Sequence, residues 1–421
     1  MLRAAAKNHR HVLVVTEPKQ YAEVLAAMRK GLDAEGWRRL REAGARAAFH
    51  TTADYDAVVA AWLDRLAAGG EGGSERGEET VRPLRYGENP HQRGELRPWK
   101  QRARREADLV GATEIPGAER ALSYNNYADA HAALELCKEL ARELCGPSPG
   151  GGHACVFVKH TNACGAAVAA DPQEAYRRAY LGDPSAAMGG ILCGTFPVKA
   201  DFAASVMETY ARWGQDAGAG GFFVEVWIAP AFSEDAVRVI REKKAWGRRV
   251  RLLAVGDMTR TPDSCEWELR SITGGMLAQS RDLIGLGEET WKAVTRREPN
   301  ERERADLRLA WLVCKHAKSN AITLCRDGML IGSGAGQTSR VMSCRVATWA
   351  AKHNGHAERL AGAAAASDAF FPFRDGPDLL MEAGVTAIIQ PGGSKNDEDV
   401  IRACDERNAA MILTGTRHFK H

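Results

Sequence analysis

Lys159-His160-Thr161-Asn162 puts the most reactive side chains of the sequence into four consecutive positions. A neutral imidazole accepts a proton and a neighbouring ammonium steadies developing negative charge, so the pair reads as a general base beside an electrostatic stabiliser. A solvated loop would use the same two residues without chemistry. Arg85-Tyr86-Gly87, followed by Asn89-Pro90-His91-Gln92, sets a forked cation beside an aromatic ring. Arginine grips phosphate through paired hydrogen bonds and tyrosine covers a heterocycle, while a stiff domain-opening loop accounts for the glycine and prolines equally well.

Gly332-Ser333-Gly334-Ala335-Gly336-Gln337 has the look of a phosphate-cradling loop but lacks the third glycine of G-x-G-x-x-G and the ending of a P-loop. Turn geometry is the simpler reading, with Arg340 beyond it near a helix start, where an anion fits. Pro391-Gly392-Gly393-Ser394-Lys395 precedes a helix whose free N–H groups bind a carboxylate or phosphate, or are capped by Ser394 or Asn396. The aromatics Phe370, Phe371 and Phe373 lie between Asp368 and Asp375. Such a cluster sandwiches a flat ring or simply fills a core. The tail Thr416-Arg417-His418-Phe419-Lys420-His421 ends the chain on functional side chains.

These groups need elements to hold them. Apolar spacing predicts helices within Tyr21–Arg41 and Thr52–Leu66, after a short buried strand at 12–16 (VLVVT). The glycine-rich, charged run AAGGEGGSERGEET then reads as a linker. A helix is expected over Tyr127–Leu144, a buried strand over 154–158 that delivers Lys159 and His160, and a helix around Gln173–Leu181. DLRLAWLVCK predicts a helix up to Lys315, and AITLC and MLIGS predict strands around Asp327-Gly328, a dipeptide suited to a tight hairpin. The end reads strand (VTAIIQ), helix (EDVIRACDER), strand (AAMILTG), with Asp397, Glu398 and Asp399 in the helix's first turn. VKHTNACG around Lys159 and CKHAKSNA around Lys315 echo one another, as duplication or chance would produce.

At 421 residues the chain is long enough for two or three domains of ~150 residues, and no apolar run approaches the ~18 residues of a membrane helix. Its 57 basic and 54 acidic residues are interspersed, which argues against nucleic acid as a partner and leaves small anions compatible. None of the ten cysteines forms a C-x-x-C pair, so they read as free thiols of a reducing, cytoplasmic setting with no metal site.

Taken together, RPLRYGENPHQ, LSYNNYADAHAA, VFVKHTNACG, DPSAAMGG, GGMLAQSRD, CKHAKSNAI, IGSGAGQTSRV, SDAFFPFRDG, VTAIIQPGGSK and TRHFKH occur in the order found in the bifunctional purine-biosynthesis family that joins AICAR transformylase to IMP cyclohydrolase. The resemblance to its transformylase region spans about residues 82–421. It implies an α/β fold of two related three-layer lobes, similar to the cytidine-deaminase-like fold, with lobes at 82–270 and 271–421. Residues 67–81 would be a linker, and 1–66 a small α/β remnant of the methylglyoxal-synthase-like cyclohydrolase domain. In that remnant Lys7 matches the cyclohydrolase lysine; the acidic segment that normally precedes it does not precede it here, so loss of cyclisation is the expectation.

The resemblance implies formyl transfer from 10-formyltetrahydrofolate, as cosubstrate, to the 5-amino group of AICAR. His160 matches the base, Lys159 the group that stabilises the oxyanion or protonates the departing folate nitrogen, and Asn320 a group orienting the substrate's polar edge. Arg85, Tyr86, Gly189, Asp257, Arg340, Phe370 and Arg417 match nucleotide contacts, and Val341, Asp375, Ser394 and Lys395 folate contacts. A homodimer with sites at its interface is implied, with no catalytic metal, while a structural monovalent cation is compatible. Two positions depart from the family: Ala163 stands for its proline and Met188 for its phenylalanine. A non-catalytic nucleotide- or folate-binding relative is the alternative, one that would be marked by loss of Lys159, His160 or Asn320, all of which are present.

Overall fold

The computed structural model describes residues 1–67, 81–98, 107–146, 151–260 and 267–421. The chain divides into two units, Met1–Glu78 and Glu79–His421. All but the two ends of the expected linker 67–81 lies outside the described residues.

The described part of the first unit is helical: α1 (Leu2–Lys7), α2 (Tyr21–Lys30) and α3 (Ala34–Ala67). The strand expected at 12–16 does not form, so the anticipated α/β character of this piece is corrected to helical for the described residues. A strand is defined by its hydrogen-bonded neighbour, and this extended segment lies against a helix instead. Val14 packs with Ala6, Ala45 and Ala48, and Gly44 of α3 allows the approach, since a Cβ there would sit 2.4 Å from the Val14 carbonyl oxygen.

The second unit opens with a small ribbon, β1 (Arg82–Pro83) with β2 (Glu95–Leu96), and strand β3 (Thr113–Ile115). Then come α4 (Tyr124–Leu140), β4 (His153–Lys159), β5 (Asn162–Ala169), α5 (Pro172–Gly182), α6 (Pro184–Ala187), β6 (Gly190–Gly194), α7 (Ala200–Met207), β7 (Val224–Ala229), α8 (Glu234–Lys243) and β8 (Arg251–Ala254). An exposed ribbon of β9 (Trp267–Ile272) and β10 (Gly275–Ser280) separates these from a second series. That series runs β11 (Lys292–Ala293), α9 (Glu301–His316), β12 (Ile322–Arg326), β13 (Met329–Gly334), α10 (Arg340–His353), β14 (Ala364–Ser367), α11 (Asp375–Glu382), β15 (Ala387–Gln390), α12 (Asp397–Glu406) and β16 (Ala410–Leu413).

Twelve strands form one mixed sheet, in the order β11-β16-β15-β14-β12-β13-β5-β4-β6-β7-β8-β3. Each half has the same plan. A hairpin (β4–β5 or β12–β13) pairs antiparallel with a third strand, which is followed by two parallel ones and a short antiparallel edge. The halves meet where β5 and β13 run antiparallel, Met329 opposite Ala167. Alternation along β4 sends Ala154, Val156 and Val158 to the face covered by α4 and α9, and Cys155 and Phe157 to the face covered by the remaining large helices. The result is three layers.

Equivalent elements use equivalent devices. Both α4 and α9 begin with a capping box, Ser123 with Asn126 and Asn300 with Glu303. Gly165 of β5 lies against α5, where a Cβ would fall 1.9 Å from the Ala179 carbonyl oxygen, and Gly334 of β13 lies likewise 2.0 Å from that of Ser343 in α10. The glycines of Gly332-Ser333-Gly334 therefore serve close helix–strand packing inside β13, and only Gly336, at φ +71°, answers to the expected turn. The two hairpin turns also correspond. His160-Thr161 and Asp327-Gly328 are two-residue connections with both central φ angles positive, 52° and 62° against 52° and 75°. This matching shows the Lys-His echo to be non-equivalent: Lys159 ends a strand, whereas Lys315-His316 ends α9 and is buried against Glu139.

Candidate active site

Strand β4 is hydrogen-bonded on both sides, to β5 and to β6, and is buried along its middle, so its carboxyl end is held firmly. Lys159 is its last residue, on the Cys155–Phe157 face, and its Nζ donates to the Met188 carbonyl oxygen at 2.9 Å. That contact uses the backbone of residue 188, so the methionine found there can supply it as well as the family's phenylalanine. Gly189 follows at φ +73°, its N–H bonded to the Phe223 carbonyl oxygen at 2.8 Å; a Cβ would meet the Phe223 ring at 2.9 Å. Only glycine fits that turn without displacing the ring.

His160 and Thr161 occupy the left-handed turn, an unfavourable conformation for a β-branched residue such as Thr161. Two side chains fix it. The Asp129 carboxylate of α4 accepts the Thr161 N–H at 2.7 Å. Burial pushes the Asp129 carboxyl up from its ordinary range, against the lowering effect of the Thr161 and His160 N–H groups. Asn162 donates from Nδ2 to the His160 carbonyl oxygen at 3.0 Å and accepts, on Oδ1, the Lys318 N–H at 3.0 Å. Ala163, where the family has proline, is paired in β5 opposite Val158.

Lys318 leads into Asn320 on the other side of the seam. Asn320 is tied to Gln337 through backbone bonds and through Nδ2 at 2.8 Å, and its Oδ1 accepts Arg340 Nη2 at 2.5 Å. The other arm of Arg340 donates to Ser367 Oγ at 2.8 Å and to the buried Asp368 carboxylate. A cleft of about 290 Å³ opens at the seam, lined by Lys159, His160, Asn162 and Cys164 from one half and Gly332 and Ser333 from the other, among others.

A family model for the AICARFT/IMPCHase bienzyme matches residues 5–350. The chain belongs to that family. It is also 42% identical, over 432 aligned positions covering all of this chain and 75% of the relative, to the bifunctional purine biosynthesis protein PurH of Magnetococcus marinus. At the level of the family, the chain is thus a member of the bifunctional PurH-type enzymes of purine biosynthesis.

The remaining positions suggested by the family resemblance fall in several places. Phe370 is partly exposed while Phe371 beside it is buried, so the aromatic cluster divides between surface and core. Arg417 is exposed and stacks over the Phe419 ring at 4.3 Å. The tail is drawn in by hydrogen bonds from Ser319 N–H to the Lys420 carbonyl at 2.9 Å and from Lys318 Nζ to the His421 carbonyl at 2.6 Å. Val341 lies in the first turn of α10, and Asp375 opens α11, where its Oδ1 accepts the Gly376 N–H. At the 391–395 loop the Gly393 and Ser394 N–H groups point to the Asp397 carboxylate at 2.7 and 3.2 Å. Neither Ser394 nor Asn396 caps the helix by its side chain, and Lys395 is exposed.

Arg85 donates to the Tyr86 hydroxyl at 2.7 Å with its guanidinium over the same ring, and their loop touches the start of α4 through Glu88 and Asn125. Asp257, exposed beyond β8, accepts from Thr259. Lys7 belongs to the first unit, where it lines a surface pocket with Arg3, Arg46 and His50. Sequence reasoning missed Asp129, whose position in YNNYADAHAA carries no chemical signal by itself. It also missed the Lys315–Glu139–His316 cluster, in which Glu139 accepts from Lys315 Nζ at 2.6 Å and pairs with His316 Nε2 at 2.5 Å. Among the described residues no cluster of His, Cys, Asp and Glu is arranged to hold a metal, and no helix is long and apolar enough to cross a membrane.

Proposed function

We propose that the chain is a cytoplasmic phosphoribosylaminoimidazolecarboxamide formyltransferase, taking the formyl group of 10-formyltetrahydrofolate to the 5-amino group of AICAR. The observation that carries this reading is the pairing of Lys159 and His160 on one constrained turn lining the seam cleft, linked through Asn162 to the segment bearing Asn320. The amine of AICAR is conjugated with its ring and is a weak nucleophile, so its proton must leave as nitrogen attacks the formyl carbon. His160 takes that proton. Lys159 offers N–H donors beyond the one given to Met188, toward the formyl oxygen as it becomes anionic or toward the folate nitrogen as it departs.

Asn320, held by Arg340 and Gln337, presents a fixed polar edge to the substrate. Arg85, Tyr86, Gly189, Asp257, Phe370 and Arg417 complete the nucleotide site in this reading, and Val341, Asp375, Ser394 and Lys395 the folate site. Because Arg340 is already committed to Asn320, Ser367 and Asp368, its part is to shape the site more than to grip phosphate. The remaining part of the site comes from a second copy in a homodimer, with lobes at 82–270 and 271–421. The repeated plan of hairpin, third strand and two parallel strands supports the likeness of each lobe to the cytidine-deaminase-like fold.

The test supplies AICAR and 10-formyltetrahydrofolate to the purified chain and follows tetrahydrofolate release. Turnover is expected, falling by at least ~100-fold in His160→Ala, the scale of a lost general base. A folded wild-type dimer without turnover would overturn the reading in favour of a binding relative.

A further inference from the structure

Residues held at positive φ without being glycine persist only where their surroundings over-determine them. His160 and Thr161 are two such residues in succession, and Thr161 is β-branched. The equivalent turn in the other half, Asp327-Gly328, uses the residue types that adopt this conformation most readily. One half thus meets the turn's requirement by composition, and the other by added contacts.

Those contacts come from two side chains. Asp129, projecting from α4, accepts the Thr161 N–H at 2.7 Å. Asn162 closes the turn from the other side, with Nδ2 on the His160 carbonyl oxygen and Oδ1 on the Lys318 N–H. The second bond crosses from one half of the sheet to the other. It joins the turn bearing His160 to Lys318, two residues before Asn320, and Asn320 is in turn fixed by Arg340. A chain of hydrogen bonds thus runs from α4 through the turn to the start of α10.

We infer that Asp129 and Asn162 are positioning residues for formyl transfer: Asp129 holds the backbone of the His160 turn, and Asn162 sets that turn against the segment carrying Asn320. This rests on the formyl-transfer reading above. Neither residue needs to touch substrate. Their action is through the placement of His160, and an error of about 1 Å in such placement costs on the order of 100-fold in rate.

The experiment compares full-length Asn162→Ala, Asp129→Ala and Asp129→Asn with wild type in steady-state turnover, together with amide hydrogen exchange at Thr161 and Lys318. Asn162→Ala and Asp129→Ala are expected to lower kcat by about 10- to 100-fold with both KM values within about 2-fold of wild type. Asp129→Asn, whose amide oxygen still accepts the Thr161 N–H, restores most of the rate. An unchanged kcat in both alanine variants, or an Asp129→Asn enzyme as slow as Asp129→Ala, overturns the inference.

If Asp129→Ala does not fold, Asn162→Ala decides alone, because Asn162 is partly exposed at a hairpin end. Exchange separates the two readings. If wild type does not turn over, the formyl-transfer reading fails on its own. Faster exchange of the Lys318 N–H in Asn162→Ala then still supports the turn's anchoring, and unchanged exchange refutes it.

Discussion

Arg340 Nη2 lies 2.5 Å from Asn320 Oδ1, and the same guanidinium spans Ser367 and the fully buried Asp368. Arginine's planar fork makes this three-way contact possible, and a lysine ammonium cannot reproduce it. Helix α10 is thereby locked to β14 and to the segment entering β12.

Removing Asp368 leaves that guanidinium, only 8% exposed, without its counter-charge. Asp368→Ala is expected to destabilise the second unit by ~3–5 kcal/mol in urea unfolding, the usual penalty for orphaning one partner of a buried pair. Arg340→Lys keeps the charge and loses the fork. It should unfold less readily than Asp368→Ala yet lose turnover, because Asn320 is no longer oriented. Equal activity of Arg340→Lys and wild type would contradict that role.

Glu135 predicts a pH dependence. Burial pushes its carboxyl up, but the nearby Lys138, His131 and Arg281 charges and a hydrogen bond from Lys138 outweigh it and hold the group at about 2. The ion pairs measure 2.6 Å to Lys138 and 3.0 Å to Arg281. With the folded value below the ordinary 4.5, the stability this group confers is complete above that pH and is lost as pH falls toward 2. Glu135→Gln should cost ~2–3 kcal/mol at neutral pH in chemical denaturation, and the deficit should shrink between pH 4.5 and 2. A deficit independent of pH would mean that packing, and not charge, is what the substitution removes.

The glycine contacts of the central strands predict that the two halves respond alike. Gly165→Ala forces a Cβ to within 1.9 Å of the Ala179 carbonyl oxygen, and Gly334→Ala to within 2.0 Å of that of Ser343. Both obstacles are helix backbone, so relief requires lifting α5 or α10 from the sheet. Each substitution should lower stability by ~1–3 kcal/mol or more. A thermal melt in which either variant matched wild type would show that the helix can shift without penalty.

Much of this fold was legible because its signals are local. The helix of 301–316, the Asp327-Gly328 hairpin and the closing strand–helix–strand follow from apolar period and turn residues. The segment 12–16 reads as a strand but is not one, because a short run of four apolar residues and a threonine does not reveal whether a neighbouring strand exists to pair with it. The 332–336 glycines were misread for a related reason: a glycine that admits a helix backbone is indistinguishable in sequence from one that turns. In the site, Lys159 and His160 stood out by residue type. Asp129 did not, because its role exists only when α4 is laid beside the hairpin 32 residues further on.

The tail offers the last test. His418 is 2% exposed, with its Nδ1 2.6 Å from Asp282 Oδ2, its ring set edge-on to Trp311 at 5.2 Å, and its N–H bonded to the Asp368 carbonyl oxygen. Burial pushes the Asp282 carboxyl up, but the hydrogen bond with His418 and the charge of Lys315 hold it below its ordinary range. The neighbouring Arg417 is exposed, so His418 acts as the anchor from which Arg417 projects. His418→Ala should cost ~1.5–3 kcal/mol, the worth of a hydrogen bond to a charged group, and, on the formyl-transfer reading proposed above, should raise the KM for AICAR more than it lowers kcat, since it frees the arginine assigned there to the nucleotide and leaves the His160 turn intact. His418→Asn, which keeps a donor near the position of Nδ1, should recover part of both losses. If His418→Ala instead lowered kcat with KM unchanged, the tail would be acting on the chemical step, and Arg417 would have to be reassigned from binding to transition-state stabilisation.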